Sequence, residues 1–412
     1  MDWTKSGIYN RYGVEFVDVR NVDKSLGWFT GKVVGGTITE DYRSEYRVSA
    51  SLEIDGGTIP VNRAVRIWHV AELDGEEYRE ELGTFWPEPA DMSYDHGRYH
   101  GTVELHSAMK RLGTDLRCGN GSVAKDSVLV EKFALYVKNS GGVSRILTGV
   151  SKTKKLAKDH AWAHGESVLT ECQRLADALG AWIGVDTHGR VTLEPYVNPS
   201  KRSKSFDVPK GASSMTEVGT VGYERQEIYN RFIASYENSV KVQKEVGTYT
   251  SNVKYTENVF ASDGRTIIHH QGDLKHAKGD TKYKTQTVKK SYFEKLDVPE
   301  THQWHHSKIG RLCVFDCGSP TISVEDGETV TESQVKSELA KMLKTARTEH
   351  ADTHKVWSAT MLYMPKVKMG AVGTFYYQDN PDADPIQKKV FVSQREITLD
   401  TAMRMELTLE EI

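Results

Sequence analysis

Five residues with side chains that bind metals lie close together in the sequence: His302, His305, His306, Cys313 and Cys317. Thiolate sulfur and imidazole nitrogen are common ligands of Zn²⁺ in four-coordinate protein sites. The wide spacing between the two cysteines argues against a structural zinc motif. The segment between them also has strand character, so buried cysteines beside a polar histidine-rich loop are the simpler interpretation. We predict no metal and no cofactor, and keep these five residues as zinc candidates.

Other candidate motifs lack a residue that their chemistry requires. His160 and His164 have the i, i+4 separation of a helical zinc pair, but no glutamate lies between them, so a solvated helix end is the simpler interpretation. Ser167 lacks the trailing glycine of a nucleophile elbow and suits a helix N-cap. The glycines near Gly119 lack the frame of a phosphate-binding loop. We predict no catalytic residues and no enzymatic activity.

Composition excludes several classes of protein. The chain has 412 residues, 38% of them hydrophobic, which allows roughly two to four folded domains. Its formal net charge of −3 excludes a strong general attraction to nucleic acid. Its 4 cysteines are too few for a disulfide scaffold. The N-terminus lacks the apolar core of a signal peptide, and no apolar run is long enough to span a bilayer. We expect folding in a cytoplasm and no membrane anchor.

Three Lys/Arg-rich runs cover residues 152–158, 201–204 and 282–290. Such runs are usually solvated surface or linker. In a ring-shaped oligomer, however, they could line a lumen or contact acidic neighbours.

Alternating apolar and polar residues dominate the first part of the chain. The predicted strands cover residues 14–20, 36–41, 46–54, 64–70 and 99–105. Asp55-Gly-Gly and Asp74-Gly are hairpin turn signals between them. Because alternation leaves one face apolar and one polar, a small barrel or a sheet with a solvated face is predicted.

Residues 117–200 combine helices with a hairpin. A first helix is indicated near Phe133 and Tyr136, and a second by an apolar stripe from Val168 to Leu179 that ends at Gly180. A strand at 181–185, a turn and a second strand follow at once.

The last part contains a linker, an insertion and a second β region. Residues 201–210 have linker composition, 228–236 predict a strand, and 245–330 are polar with weak apolar periodicity. Thr331 and Gln334 form a capping box that begins a helix. Four strands then follow, at residues 357–363, 373–377, 389–393 and 403–409.

With these elements in order, the chain resembles the baseplate or tail-tip hub proteins of tailed bacteriophages and related injection machines. Members begin with a β-barrel domain, pass through an α/β insert and end in a second barrel-like domain with an insertion. Short phrases beginning at Gln226 and Met364 are also similar to such proteins. The stretches that carry the resemblance are residues 36–112, 165–172, 181–186, 227–236 and 357–409.

The resemblance implies an α+β, mainly β fold with two tube-like β-barrel domains. The predicted domains are residues 1–115 for the first barrel, 116–200 for the α/β domain, 201–245 with 331–412 for a discontinuous second barrel, and 246–330 for a Lys/His-rich insertion. Residues 228–236 would then be the first strand of the second barrel, and the helix at Thr331 would pack outside the ring wall. Residues 246–330 do not match the family in sequence, so the role of this insertion stays open.

The resemblance also implies a function. Hubs of this family are homotrimers that match the sixfold tail tube to a trimeric tip. The implied partners are the tail tube or distal tail protein, the tape-measure protein, and a tip, spike or fibre protein. DNA would pass through the lumen without sequence recognition, and the location would be the virion tail after assembly in the host cytoplasm. The alternatives are a metal-dependent cell-wall hydrolase that uses the five zinc candidates, or a tail-tube protein.

Overall fold

The computed structural model describes residues 7–119, 121–208, 217–218, 222–223, 229–251, 253–260, 267–324, 330–350, 355–377 and 386–412. Strands predominate over helices in these residues, as the alternating sequence pattern predicted. The predicted fold class, α+β and mainly β, is confirmed. No helix in the described residues is both long and apolar enough to cross a membrane.

The first part of the chain consists of strands followed by one short helix. Alternation explains the strands: in the strand Val48–Asp55, Ala50, Leu52 and Ile54 are buried whereas Glu53 is exposed. The elements are β1 (Tyr9–Asp18), β2 (Asn21–Trp28), β3 (Lys32–Asp41), β4 (Val48–Asp55), β5 (Ala64–Leu73), β6 (Glu76–Pro87), β7 (Ser93–Asp95), β8 (Arg98–His106) and α1 (Ala108–Thr114).

The middle part contains the two predicted helices and the predicted hairpin. Its elements are β9 (Gly121–Val123), α2 (Leu129–Asn139), β10 (Ser144–Ile146), β11 (Lys155–Leu156), β12 (His160–Trp162), α3 (Val168–Leu179), β13 (Ala181–Val185) and β14 (Val191–Pro195). Ser167 caps α3 by accepting from Thr170 N at 3.1 Å, and Gly180 ends it in the left-handed conformation with φ 65°. Both predicted ends of this helix are confirmed.

The last part consists mostly of strands and contains two helices. Its elements are β15 (Lys204–Val208), β16 (Glu217–Val218), β17 (Gly222–Tyr223), β18 (Arg231–Thr248), β19 (Val253–Phe260), β20 (Ile267–His276), β21 (Thr281–Asp297), α4 (His306–Ile309), β22 (Val314–Asp316), β23 (Ser323–Val324), α5 (Glu332–His350), β24 (Lys355–Leu362), β25 (Val372–Tyr377), β26 (Ile386–Thr398) and β27 (Arg404–Glu411).

One large sheet joins strands from both ends of the chain. Its order is β16-β24-β27-β26-β3-β4-β8-β6-β5-β1-β2, with β7, β15, β17 and β25 paired beside this path. The two halves meet where β3 pairs antiparallel with β26, with Ile38 opposite Ile397. Since the path has two free ends, the described strands form an open sheet, and the prediction of two barrel domains is not confirmed.

The buried apolar side chains of the described residues form three separate cores. The first lies under the large sheet and mixes residues of both halves, for example Leu52 with Met405. The second packs α1, α2 and α3 against the β13–β14 hairpin, with Phe133 and Leu169 fully buried. The third packs α5, through Leu339, against Phe232 of β18.

One predicted strand and the predicted helix at Thr331 both belong to the third core, and the strand differs from its prediction. Residues 231–236 lie in β18, which pairs with β21 and β22 in a separate sheet. They are therefore not the first strand of a second barrel. Helix α5 has the predicted capping box, since Thr331 N donates to Gln334 Oε1 at 2.8 Å and Gln334 N donates to Thr331 Oγ1 at 3.2 Å. It packs against β18 and β21. The prediction had placed most of β18 in the second barrel and β21 in the polar insertion.

Candidate functional site

The zinc candidates serve local packing. His302 Nδ1 accepts from Trp304 N at 3.2 Å, the buried His305 bonds Ser307 Oγ through Nδ1 at 2.7 Å, and the ring of His306 lies against that of His305. Within the described residues, no three His, Cys, Asp or Glu side chains are grouped to hold a metal.

The two cysteines flank β22, the short strand that pairs with β18. The fully buried Asn230, which sequence reasoning missed, accepts from Cys313 N at 2.8 Å and donates to Arg311 O at 2.9 Å. Cys317 packs at the edge of the third core, where burial raises the pKa of its thiol.

His160 and His164 do not form a pair on a helix. His160 lies in β12, and His164 is exposed in the turn after it, so the predicted helix end is wrong. His160 Nε2 is 3.3 Å from Oε1 of the buried Glu171, which also accepts from Arg174 Nη1 at 2.7 Å. Burial opposes ionisation of Glu171, but these two contacts outweigh it and hold its pKa below the ordinary value.

A buried ion pair joins the two halves of the large sheet. Arg395 of β26 donates to both carboxylate oxygens of Glu40 in β3, at 2.6 and 3.0 Å, and to Val367 O at 2.7 Å. The Glu40 charge stabilises the protonated guanidinium, which raises the pKa of Arg395 despite its burial. Along β26, Arg395 lies on the same face as the buried Ile397. A charged residue at a position that alternation assigns to the apolar face was the sequence signal that could have indicated this buried pair.

Strand β1 is hydrogen-bonded through two side chains to the turn between β26 and β27. Tyr12 donates through its hydroxyl to Asp400 O at 2.7 Å, and Asn10 donates to Thr401 O at 2.9 Å. The Asn10 carboxamide oxygen also contacts Nε2 of the fully buried His69 at 2.8 Å. Burial lowers the pKa of His69 from 6.5 to about 4, so this imidazole is neutral at physiological pH.

A second buried network docks the β13–β14 hairpin on the sheet. Arg66 contacts Glu15 at 3.4 Å and Glu81 at 3.1 Å, and Glu81 also lies 2.7 Å from His188 Nδ1 in the hairpin turn. Gly189 in the same turn has φ 78°, and a Cβ there would lie 3.0 Å from Thr84 Cβ. This close approach explains why a glycine occupies the position.

A cleft of about 590 Å³ opens where the three parts of the chain meet. Trp182 of the hairpin stacks on Tyr42 of the first part at 5.1 Å, and Arg202 donates to Gly370 O at 2.7 Å. Burial raises the pKa of Glu194 in this cleft, although Arg202 opposes the shift. The contacts across the cleft join parts of the chain that are distant in sequence, so they hold the modules in one arrangement.

The comparisons with known proteins rest on structure. No protein-family model matches the sequence, and no curated protein matches it. The tail protein from Neisseria meningitidis MC58 is 11% identical, with 97% of each chain covered and a TM-score of 0.54. The 43 kDa tail protein of prophage MuSo2 from Shewanella oneidensis is 12% identical, with 97% of each chain covered and a TM-score of 0.51.

Similarity at such low identity concerns the fold, and here it extends over nearly the whole chain. It includes the strand-rich first part, the α/β module and the returning C-terminal strands, which is the order on which the resemblance was based. The chain therefore has the fold of these two tail proteins.

Proposed function

We propose that this protein is a non-enzymatic hub of a phage tail: a homotrimeric ring that joins the sixfold tail tube to a trimeric tip or spike. The observation that carries the proposal is the chain-wide match in fold to two tail proteins. A hub needs a rigid wall, and the buried pair of Arg395 and Glu40 is one element that would make the two halves of the sheet act as such a wall.

Open strand edges support ring formation. In the described part of the chain, β2 pairs only with β1, and β16 is paired only with β24 at the other end of the path. An unpaired edge exposes backbone donors and acceptors that a neighbouring subunit can satisfy. In this proposal each half of the sheet supplies one tube-like unit, so three chains present six.

The domain division follows the same proposal with one change. Residues 1–115 and the C-terminal strands form the ring, and 116–200 form the α/β module outside the two halves. Residues 231–245 are assigned to the insertion with 246–330, because β18 pairs there. The lumen would pass DNA and the tape-measure protein.

The test is the mass and symmetry of the purified full-length protein. We expect particles with the mass of three 46.3 kDa chains and threefold or pseudo-sixfold rings in electron micrographs. Addition of the tail-tube protein should place one ring at the end of each tube. A monomer at all concentrations would contradict the hub. Stoichiometric zinc with a chelator-sensitive cell-wall hydrolase activity would favour the alternative function instead.

A further inference from the structure

The insertion carries an exposed ribbon that we call the basic arm, residues 244–251 and 277–284. It is the distal part of the β18–β21 ladder. The last described side chain of β18 that is buried is Tyr236, which belongs to the third core. From Lys244 to Thr248 every side chain is exposed. The arm also exposes two larger apolar side chains, with Val246 at 49% and Tyr283 at 55%. Exposed tyrosine beside charged residues is typical of protein contact surfaces.

Residues 241–290, which include the basic arm, have a net charge opposite in sign to that of the remaining chain. Residues 241–290 contain 10 Lys and Arg against 5 Asp and Glu, whereas the remaining residues contain 44 and 52. Lys244 lies directly opposite Lys284 in the ladder, and neither forms an ion pair within the described residues. Like charges at directly opposed positions destabilise a strand pair. An acidic partner would remove this repulsion.

The tip of the β5–β6 hairpin is the complementary surface, and we call it the acidic hairpin, residues 72–77. Glu72 also lies opposite a like charge, Glu77, but here Arg11 of the same chain contacts both carboxylates, at 3.5 and 3.2 Å. Asp74 and Glu76 at the tip are exposed and have no ion pair in the described part of the chain. The acidic hairpin therefore keeps two free carboxylates.

We propose that the basic arm of one copy docks on the acidic hairpin of a neighbouring copy of this chain. The proposal rests on the proposed ring, since it names a contact between adjacent subunits. Two hairpin ends of opposite charge, each exposed, can approach without rearrangement of any core. Lys244 and Lys284 would meet Asp74 and Glu76, and Tyr283 would supply apolar contact area between them.

A zero-length carbodiimide cross-link between lysine and carboxylate tests the contact directly. Full-length protein with normal nitrogen is mixed with ¹⁵N-labelled protein, assembled, cross-linked and digested. Mixed-isotope peptides that join Lys244, Lys282 or Lys284 to Asp74 or Glu76 are expected. Cross-links of these lysines only within one copy, or to other acidic segments of a neighbour, would overturn the proposal even if the ring itself forms. A wild-type protein that never assembles would instead contradict the proposed function.

Charge reversal gives an independent readout. K244E/K284E and D74K/E76K should each weaken self-association roughly tenfold at low salt, and the four changes combined in one chain should restore it. K125E/K366E, on exposed lysines outside the arm, controls for net charge and should assemble as the wild type does. Unchanged assembly of K244E/K284E, or absence of rescue, would overturn the proposal. So would loss of duplex DNA binding by K244E/K284E with assembly intact, which would assign the arm to nucleic acid.

Discussion

Arg395 and Glu40 face each other across the line where the two ends of the chain join, with Arg395 Nη2 2.6 Å from Glu40 Oε1 and both side chains largely buried. They belong to neighbouring strands of the sheet although 355 positions separate them in the sequence. The pair therefore reports directly on whether the N-terminal and C-terminal halves are correctly assembled.

Replacement of Arg395 by Met should destabilise the protein by about 3–5 kcal/mol, because it leaves the Glu40 carboxylate buried without its partner. Urea unfolding measures the loss. The double variant R395M/E40L should recover much of it, since no charge is then buried alone. K336M, which removes the exposed α5 partner of Glu332, serves as the control and should leave the urea unfolding midpoint nearly unchanged. An equal loss of stability in R395M and K336M would contradict a buried pair.

Stability should fall as the pH decreases from about 6.5 to about 4, because of His69. The folded protein holds this imidazole neutral, whereas the unfolded chain protonates it below its ordinary pKa, so unfolding takes up a proton in this range. The shift corresponds to roughly 3 kcal/mol of folding stability. The protein has this stability in full above pH 6.5 and has lost it at about pH 4. His69→Gln removes the titrating group. Urea unfolding of both proteins across this range should give a shallower pH slope for the variant, and equal slopes would refute the assignment.

Gly189→Ala should destabilise the docking of the β13–β14 hairpin more than Gly75→Ala destabilises its own turn. Both glycines have similar left-handed φ angles, 78° and 82°, so the backbone cost of about 1 kcal/mol is matched. Only at position 189 does the new Cβ meet Thr84, whereas nothing lies within 4 Å of it at position 75. Thermal unfolding together with protease cleavage between the module and the sheet would measure the difference. Equal effects would mean that the turn does not contact β6.

Thr331→Ala should lower stability by about 1 kcal/mol, because it removes the side-chain acceptor for Gln334 N at the start of α5. Ser333→Ala in the same first helical turn is the matched control. Ser333 is exposed, and alanine favours helix, so this variant should be neutral or slightly stabilising. Amide hydrogen exchange along α5 and the facing strand β18 would locate the effect. A uniform change over the whole chain would contradict a local cap.

Local patterns predicted much of the fold. Ser167 and Gly180 at the ends of α3, and Thr331 with Gln334 at the start of α5, were predicted because a helix end is defined by a few adjacent residues. The interpretation of His160 as part of a helix was wrong because i, i+4 spacing alone does not distinguish a helix from a strand followed by a turn.

The sequence by itself determined which segments alternate, where helices begin and end, and the order of modules that indicated a tail protein. These properties depend on residues near one another in the chain. The tertiary structure alone decided that β18 leaves the large sheet, that α5 packs on β18 and β21, and that Arg395 meets Glu40. Strand partners and buried ion pairs are chosen by packing between distant segments. Several pairings satisfy the same alternation, and only the assembled core distinguishes among them.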